Sequence, residues 1–230
     1  MTLTLTVSDE VRALAPGFTH VAVEAHGLTN GPSTEGTSAL LDDAARRLAG
    51  RLDGRAPHED PHMAAWREVY TAFGSKPSRT RNSAEALARR ALSDAGLPRI
   101  NLLVDLYNAV SVARLIPVGG EDIDRVSGGM RLVRAAGDEE FETVADGAGT
   151  VEHPDAGEVV WRDAVGVTCR RWNWRQGPRT RLTEQSTSAI FLLEGLAPLP
   201  VPALGAAAAE LAELLEKFSP GARVTVHAPV

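Results

Sequence analysis

The chain has 230 residues, of which 43% are hydrophobic and 23% charged, as is ordinary for a globular protein. One cysteine excludes an internal disulfide and a thiolate metal cluster, and a net charge of −6 argues against polyanion binding over the whole surface. No apolar run approaches the roughly 20 residues that span a bilayer, and the N-terminus lacks a signal-peptide pattern, so we expect a cytoplasmic protein without membrane contact.

The first 60 residues mix short strands and helices. Strands are predicted over residues 2–7, where apolar and polar side chains alternate, and over residues 18–26, with a short helix over residues 9–15 between them. A loop rich in glycine, proline, serine and threonine covers residues 27–38. In the helix that follows, apolar side chains recur at the three-to-four spacing of one face: Leu40, Leu41, Ala44, Leu48 and Leu52.

Two further helices are predicted before residue 97. The first covers residues 63–73. Asn82, followed three residues later by Glu85, resembles a capping box for the second helix, over residues 83–95. Gly96 gives this helix its stop signal.

His58, Glu59 and His62 match the letters of the zinc-protease motif H-E-x-x-H. Zinc binding needs both histidines one turn apart on a single helix. Pro61 lies inside that turn, where it would remove a backbone hydrogen bond and clash with the preceding carbonyls. The pattern therefore indicates a helix that begins at Pro61 and leaves His58 outside, and we expect no metal site here.

The segment from Ile100 to Ile116 is mostly apolar, which predicts a helix buried on most sides. Its polar residues are spaced by four, three and three positions and so share one stripe: Asn101, Asp105, Asn108 and Ser111.

Beyond Pro117 the chain becomes rich in strand candidates bounded by glycine and aspartate. They cover residues 131–135, 141–145, 158–162, 165–172 and 189–194. A helix with apolar residues on one face between Leu204 and Phe218 and a strand over residues 223–227 follow. We predict an α+β fold in which helices pack on a mainly antiparallel sheet, as a single domain over residues 1–230.

Basic residues concentrate in two segments. Residues 66–99 hold seven basic side chains against three acidic ones, and residues 162–181 hold six against Asp163 alone. On an acidic chain this pattern fits a protein that meets a nucleic acid on one face. The alternative is a set of solvated arginines spread over several faces, which composition alone slightly favours.

The segment Cys169–Gln176 contains two tryptophans, three arginines, an asparagine and a glutamine. Tryptophan faces stack on bases and arginines bind phosphates, but tryptophan and arginine at a strand end also stack on one another. Both interpretations stay open. Cys169 is a candidate nucleophile, although a lone cysteine in a strand is more often a small buried side chain. The sequence contains no phosphate loop, dinucleotide fingerprint or nucleophile elbow.

Three segments resemble the B3/B4 domain of the bacterial phenylalanyl-tRNA synthetase β subunit: the stretch from Leu97 to Val110, the run Ile116-Pro117-Val118 and residues 122–125. The resemblance covers roughly residues 63–197, with residues 1–60 and the C-terminal helix as additions, and implies a free-standing B3/B4-like protein. In the synthetase this domain hydrolyses tyrosine wrongly esterified to the phenylalanine tRNA. The resemblance therefore implies a deacylase that edits aminoacyl-tRNA in trans.

The functional positions of the family transfer only in part. The resemblance places the editing glutamate on Glu194 and the helix asparagine on Asn108. It replaces a threonine by Tyr107 and a histidine by Gly119. In place of the family's glycine-rich pocket floor stand the pocket candidates Cys169, Trp172, Asn173 and Trp174. Because this wall differs, tyrosine is not carried over as the substrate side chain, and tryptophan and arginine in place of glycine suggest a smaller or more polar cavity.

The implied mechanism needs a positioned water and stabilisation of an oxyanion, with no cofactor and no metal. Donors are expected from the backbone around Gly119 and from the Asn108 amide. Glu194 would hold the substrate amino group or orient water, unless it merely caps a strand. Contacts to the tRNA acceptor stem are expected from four basic residues: Lys76, Arg79, Arg81 and Arg175.

Two other functions remain open. One is a non-catalytic module that binds an amino acid or an RNA end, which the glycine at position 119 favours. The other is a hydrolase of small amino-acid esters or peptides, for which the sequence offers no nucleophile. The sequence does not identify the amino acid, the tRNA or the oligomeric state.

Overall fold

The structure, a computed structural model, describes residues 3–145 and 147–230. The α-helices, in chain order, are α1 (Asp9–Leu14), α2 (Glu35–Leu52), α3 (Pro61–Ala72), α4 (Ser83–Ala91), α5 (Leu102–Arg114) and α6 (Val201–Phe218). The strands are β1 (Leu5–Val7), β2 (Thr19–His26), β3 (Val118–Asp122), β4 (Met130–Arg134), β5 (Phe141–Ala145), β6 (Ala148–Glu152), β7 (Val159–Arg162), β8 (Val167–Arg170), β9 (Arg175–Gln176), β10 (Ser188–Gly195) and β11 (Arg223–Val226).

These strands form two larger sheets and a hairpin. A four-stranded antiparallel sheet has the order β11-β2-β10-β3, so that β3 is an edge strand. A five-stranded sheet has the order β1-β4-β7-β8-β9 and is antiparallel except for the pair β1 and β4. The hairpin pairs β5 with β6. The prediction of an α+β fold with mainly antiparallel sheet is confirmed.

The four-stranded sheet is covered on both faces, because successive side chains of a strand point to opposite sides. Ile190 and Leu192 pack with Trp161 of β7 and with α2, α3 and α4 in one apolar cluster. Phe191 and Leu193 pack with α5 and α6 in the other. The sheet thus separates two cores and holds β10 between them. No described helix is long and apolar enough to cross a membrane.

Most predicted elements occur with shifted ends. The first predicted strand starts in the structure at Leu5, and Thr2 lies outside the described residues. α2 begins earlier than predicted because Thr34 caps it through the Thr37 N–H. α4 ends at Ala91, four residues before the predicted end.

Two differences in the strands matter for the site. β8 ends at Arg170 rather than at residue 172, because Arg171 and Trp172 turn the chain with φ of 46° and 67°. β3 was not predicted at all, since glycines at 119 and 120 disfavour a strand.

The two histidines of the zinc-protease motif do not lie on one helix. α3 begins at Pro61, and His58 lies in a preceding 3₁₀ helix. His62 is buried, and its Nε2 accepts from the Trp66 indole N–H at 2.9 Å, which leaves Nδ1 to donate to the Leu115 carbonyl at 3.1 Å. Burial lowers the pKa of His62 to about 4. This histidine joins α3 to the end of α5 as a neutral core residue.

The polar stripe of α5 is mostly structural. Asn101 caps the helix through the Val104 N–H at 3.0 Å. Asp105 accepts from the Thr37 hydroxyl at 2.9 Å, and Ser111 donates to the Ile116 carbonyl at 2.7 Å. The remaining member, Asn108, receives no hydrogen bond to its side chain from any residue in the described part of the chain. The stripe therefore fixes α5 at both ends and leaves one amide for another task.

We expect Asn101→Ala to lower the free energy of unfolding by about 1–2 kcal/mol, because a helix cap is lost. The Asn101 carboxamide oxygen also accepts from Asn30 at 3.3 Å. Asn101→Ser keeps a capping hydroxyl and should lose less stability. Urea denaturation of the three proteins measures the difference, and equal losses in both variants would contradict the capping role.

Candidate functional site

A cavity of about 330 Å³ opens between the four-stranded sheet, α4, α5 and the turn after β8. It brings together every pocket and catalytic candidate of the sequence analysis. These are Tyr107, Asn108, Gly119, Cys169, Trp172, Asn173, Trp174 and Glu194, with Arg175 at the wall. Cavities that bind small ligands range from about 300 to 1,000 Å³, so this volume suits a compact ligand.

Glu194 lies near the end of β10 with only 3% of its surface exposed. One carboxyl oxygen accepts from the Trp161 indole N–H at 2.8 Å, and the other accepts from the Asn173 amide at 2.8 Å. Burial raises the pKa of Glu194 to about 7, although these hydrogen bonds lower it in part. A carboxyl group with this pKa exchanges a proton near neutral pH.

The Asn173 amide is itself held in one orientation. Its oxygen accepts from the hydroxyl of buried Tyr70 at 2.8 Å. The amide nitrogen must therefore point the other way, toward Glu194. Its backbone carbonyl accepts from the Ser83 N–H at 3.1 Å and so ties the turn to the start of α4.

The turn that carries Asn173 is anchored by a buried ion pair. Arg170 contacts Glu158 through two hydrogen bonds of 3.0 and 2.8 Å, and the Arg171 N–H donates to the same carboxylate at 3.0 Å. Trp172 is fully buried and lies edge-on to Phe18, with ring centroids 4.9 Å apart. These contacts hold two non-glycine residues at positive φ, a conformation that needs such support.

The half-buried ring of Trp174 is covered by arginines of its own segment. The Arg171 guanidinium lies 4.6 Å and that of Arg175 5.8 Å from the ring centroid. Arg175 also pairs with Glu152 at 3.3 Å. The mutual stacking of tryptophan and arginine that the sequence left open is the arrangement in the structure.

The second arginine-rich segment is largely neutralised. Of its six basic residues, five form ion pairs with acidic residues: Arg162 with Glu139, Arg170 with Glu158, Arg171 with Asp155, Arg175 with Glu152 and Arg179 with Asp163. This segment therefore stabilises the fold and does not present a free basic face.

The first segment keeps exposed charge. Lys76 and Arg79 are exposed and form no ion pair with any described residue, whereas Arg81 lies 3.5 Å from the buried carboxylate of Glu85. They do not line the cavity. All three lie in the loop between α3 and α4, just before Ser83 at the cavity wall. Two of these basic candidates, Lys76 and Arg79, are thus exposed in the segment that leads to the cavity wall.

Gly119 and Gly120 differ in what surrounds them. A Cβ at Gly119 would meet nothing within 4 Å, whereas one at Gly120 would lie 2.9 Å from Leu182 and 3.0 Å from Phe191. The Gly120 carbonyl accepts from the Gln176 amide N–H at 2.7 Å, on the side away from β10. Because N–H and C=O of one residue point to the same side of an antiparallel strand, the Gly120 N–H also points away from β10.

A second buried acid in the cavity wall escaped the sequence analysis. Glu121 is 5% exposed and accepts from the Gln176 amide at 2.6 Å. Burial raises its pKa to about 8. Its position follows from β3, since Gly119 and Glu121 point to the same face of that strand. Alternation along β3 would have predicted Glu121 on the same face as Gly119 if the two glycines had not obscured the strand in the sequence.

Cys169 contributes to the wall but is poorly suited to nucleophilic chemistry. Burial and the nearby acids Glu121 and Glu194 raise the pKa of its thiol well above the ordinary value. The thiolate is the reactive form of cysteine, so a thiol that resists ionisation is a packing group. Tyr107 shows the same effect, because burial raises the pKa of its hydroxyl.

Comparison with protein families gives one match: a family model described as the B3/4 domain matches residues 65–217. The match begins two residues after the predicted start of the resemblance and ends 20 residues beyond its predicted end. It takes in almost all of α6, which the sequence analysis assigned to an addition. A comparison with curated proteins gives no match.

Among solved structures, the chain is similar to an N-terminal fragment of the phenylalanyl-tRNA synthetase β-subunit from Pyrococcus horikoshii. The two share 11% sequence identity with a TM-score of 0.43. The similarity covers 97% of this chain and 50% of the fragment, so this chain spans about half the length of that fragment.

The glycine pair gives a matched test of the cavity wall. We expect Gly120→Ala to cost about 1–3 kcal/mol of stability, because its methyl group overpacks Leu182 and Phe191. Gly119→Ala adds the same methyl group into open space and should stay within about 0.5 kcal/mol of the parent. Thermal unfolding monitored by circular dichroism compares them, and a Gly119→Ala loss as large as that of Gly120→Ala would refute the assigned geometry.

Proposed function

The chain belongs to the B3/4 domain family, and we propose that it hydrolyses the ester bond of mischarged aminoacyl-tRNA in trans. The observation that carries the proposal is Glu194, a buried carboxyl group held by two neutral donors at a cavity of about 330 Å³. It stands where the resemblance to the synthetase domain places the editing glutamate. The cavity volume suits one aminoacyl group.

Glu194 is arranged to act on a water molecule or on the substrate amino group. Trp161 and Asn173 donate to it from fixed positions, so each oxygen retains a lone pair for a ligand. With a pKa of about 7, the ionised carboxylate can take up a proton from an attacking water. An aminoacyl ester is already activated, so this placement of water supplies much of the catalysis needed.

The oxyanion formed by attack on the ester needs hydrogen-bond donors. The Asn108 amide is one candidate, since it lines the cavity and receives no hydrogen bond from another described residue. The sequence analysis expects a second donor from the backbone around Gly119, but the N–H group of Gly119 points toward β10.

The loop between α3 and α4 would meet the tRNA. Lys76 and Arg79 are exposed there without an acidic partner in the described part of the chain. Ser83, a few residues further on, lines the cavity. Phosphates of an acceptor stem whose 3′ end enters the cavity would therefore pass this loop.

A non-catalytic binding module is the second candidate function. It is favoured by Gly119, which leaves the cavity wall without a side chain at this position. In that case Glu194 and Asn108 would bind an amino acid or an RNA end without turnover. Multiple turnover of an ester separates the two functions.

We expect selective deacylation of one or a few members of a panel of tRNAs carrying different labelled amino acids. Glu194→Gln keeps the size of the side chain but loses the base, and should lower the rate about 100-fold or more. After subtraction of uncatalysed hydrolysis, the parent rate should fall about tenfold per pH unit below 7, because Glu194 is then protonated. A matched control is Glu142→Gln, an exposed glutamate outside the cavity.

Turnover that persists in Glu194→Gln would exclude the assigned role of this carboxyl group. No turnover across the panel, with tRNA or amino-acid binding retained, would establish the binding module instead.

We expect the double variant Lys76→Ala/Arg79→Ala to bind tRNA more weakly and with a shallower salt dependence. Loss of two phosphate contacts lowers the slope of log K against log salt by about 1–2. Arg46→Ala is the matched control, because Arg46 is exposed on α2 and no residue of α2 lines the cavity. Filter binding at several salt concentrations measures the slopes, and identical slopes in the double variant and the parent would remove the loop from the interface.

A further inference from the structure

The residues of β3 and β10 that line the cavity form its floor. This floor carries a carboxyl group at each end, Glu121 and Glu194. In the register of β3 and β10, Glu121 lies opposite Ile190 and Gly119 opposite Leu192. Glu194 lies two residues beyond Leu192 on the same face. Ile190, which lies opposite Glu121, is four residues before Glu194 along β10. This separation corresponds to about 14 Å between the Cα atoms of Glu121 and Glu194. The floor is thus elongated, with an acid at both ends.

Gly119 makes this floor continuous. It stands midway between the two glutamates, and a Cβ at this position would meet no atom within 4 Å. Any larger side chain would project into the open space and divide the floor. The glycine therefore allows one ligand to reach both ends.

The end at Glu121 offers two acceptors beside each other, a carboxyl group and an amide oxygen. Gln176 donates both N–H bonds of its amide nitrogen, to the Glu121 carboxyl at 2.6 Å and to the Gly120 carbonyl at 2.7 Å. An amide has two such donors, so its oxygen remains as an acceptor. The carboxyl group and this oxygen together suit a ligand group rich in N–H donors.

Within the described residues, the basic side chain that acts on either glutamate is Arg179, which lowers the pKa of Glu121 in part but is itself paired with Asp163. No lysine, arginine or histidine of the described residues forms a salt bridge with Glu121 or Glu194. Among the described residues that line the cavity, Arg175 is the basic one, and its guanidinium is engaged by Glu152 and by the Thr143 hydroxyl. A buried acid without a counter-ion gains most from a cationic ligand.

We infer that Glu121 and Gln176 form a specificity site for the far end of the substrate side chain, and that the preferred aminoacyl group is a basic one, ending in an ammonium or guanidinium. This inference rests on the proposed function, since it assigns the α-amino end and the ester to the Glu194 end of the cavity. The two carboxyl groups then bind the two cationic groups of one aminoacyl chain. Apolar residues that line the same cavity, among them Val104, Val118 and Leu192, would cover the methylene carbons.

The test uses analogues of aminoacyl-adenosine in which a 3′-amide replaces the ester, so that binding is measured without hydrolysis. The lysyl and arginyl analogues should bind the parent at least about tenfold more tightly than the norleucyl analogue, because a charge-assisted hydrogen bond is gained. Glu121→Gln should reduce this preference to about twofold or less. Glu142→Gln, exposed on β5 and outside the cavity, should leave it unchanged. Isothermal titration calorimetry gives the affinities.

Gly119→Val supplies a second variant should Glu121→Gln fail to fold. Its side chain would close the floor, so lysyl binding should fall while binding of the short alanyl analogue persists. The inference is overturned if the norleucyl analogue binds as tightly as the lysyl and arginyl analogues, if the preference survives in Glu121→Gln, or if no analogue binds.

Failure of the two proposals is distinguishable. Preferential binding of cationic analogues without turnover of any aminoacyl-tRNA would overturn the proposed hydrolysis and leave the specificity site standing. Turnover of esters with apolar side chains at the rate of lysyl and arginyl esters would overturn the specificity site and leave the hydrolysis standing.

Discussion

The buried carboxyl group of Glu194 is the constraint around which the site is built. An acid in an apolar surrounding is costly unless donors reach it. Two such donors come from separate parts of the chain, the Trp161 indole on β7 and the Asn173 amide in the turn after β8. Tyr70 of α3 fixes the amide in turn. One carboxyl group thereby sets the relative positions of both larger sheets and a helix.

This requirement explains an otherwise unfavourable piece of backbone. Asn173 can reach Glu194 because the chain turns at Arg171 and Trp172, both at positive φ. Two contacts offset the strain: Glu158 holds the backbone and the neighbouring guanidinium, and the fully buried Trp172 ring packs into the core. The arginines of this segment therefore serve the geometry of the turn, which is why their number alone is a poor guide to nucleic-acid binding.

The periodicity of apolar residues and the positions of turn and capping residues predicted much of the fold, because the long helices and the central strands bury one face each. α2, α5 and β10 follow their apolar patterns closely. The failures have physical causes. β3 contains two glycines, whose low strand propensity hid it, and Glu121 was missed with it. Trp161 and Tyr70 were missed because they act through Glu194 and Asn173, over long separations in sequence that no local pattern reveals.

Charge is distributed so that the cavity and its surroundings favour opposite ligands. The floor holds two acids without a basic partner in the described residues, whereas the adjoining loop exposes Lys76 and Arg79. A free amino acid would use the cavity alone and gain nothing from the loop. A ligand with an ammonium group at one end and phosphates a short distance away uses both. Aminoacyl-tRNA, the substrate proposed above, has this arrangement of charge, and under that proposal its ester bond would lie between the two regions, next to Glu194 and Asn108.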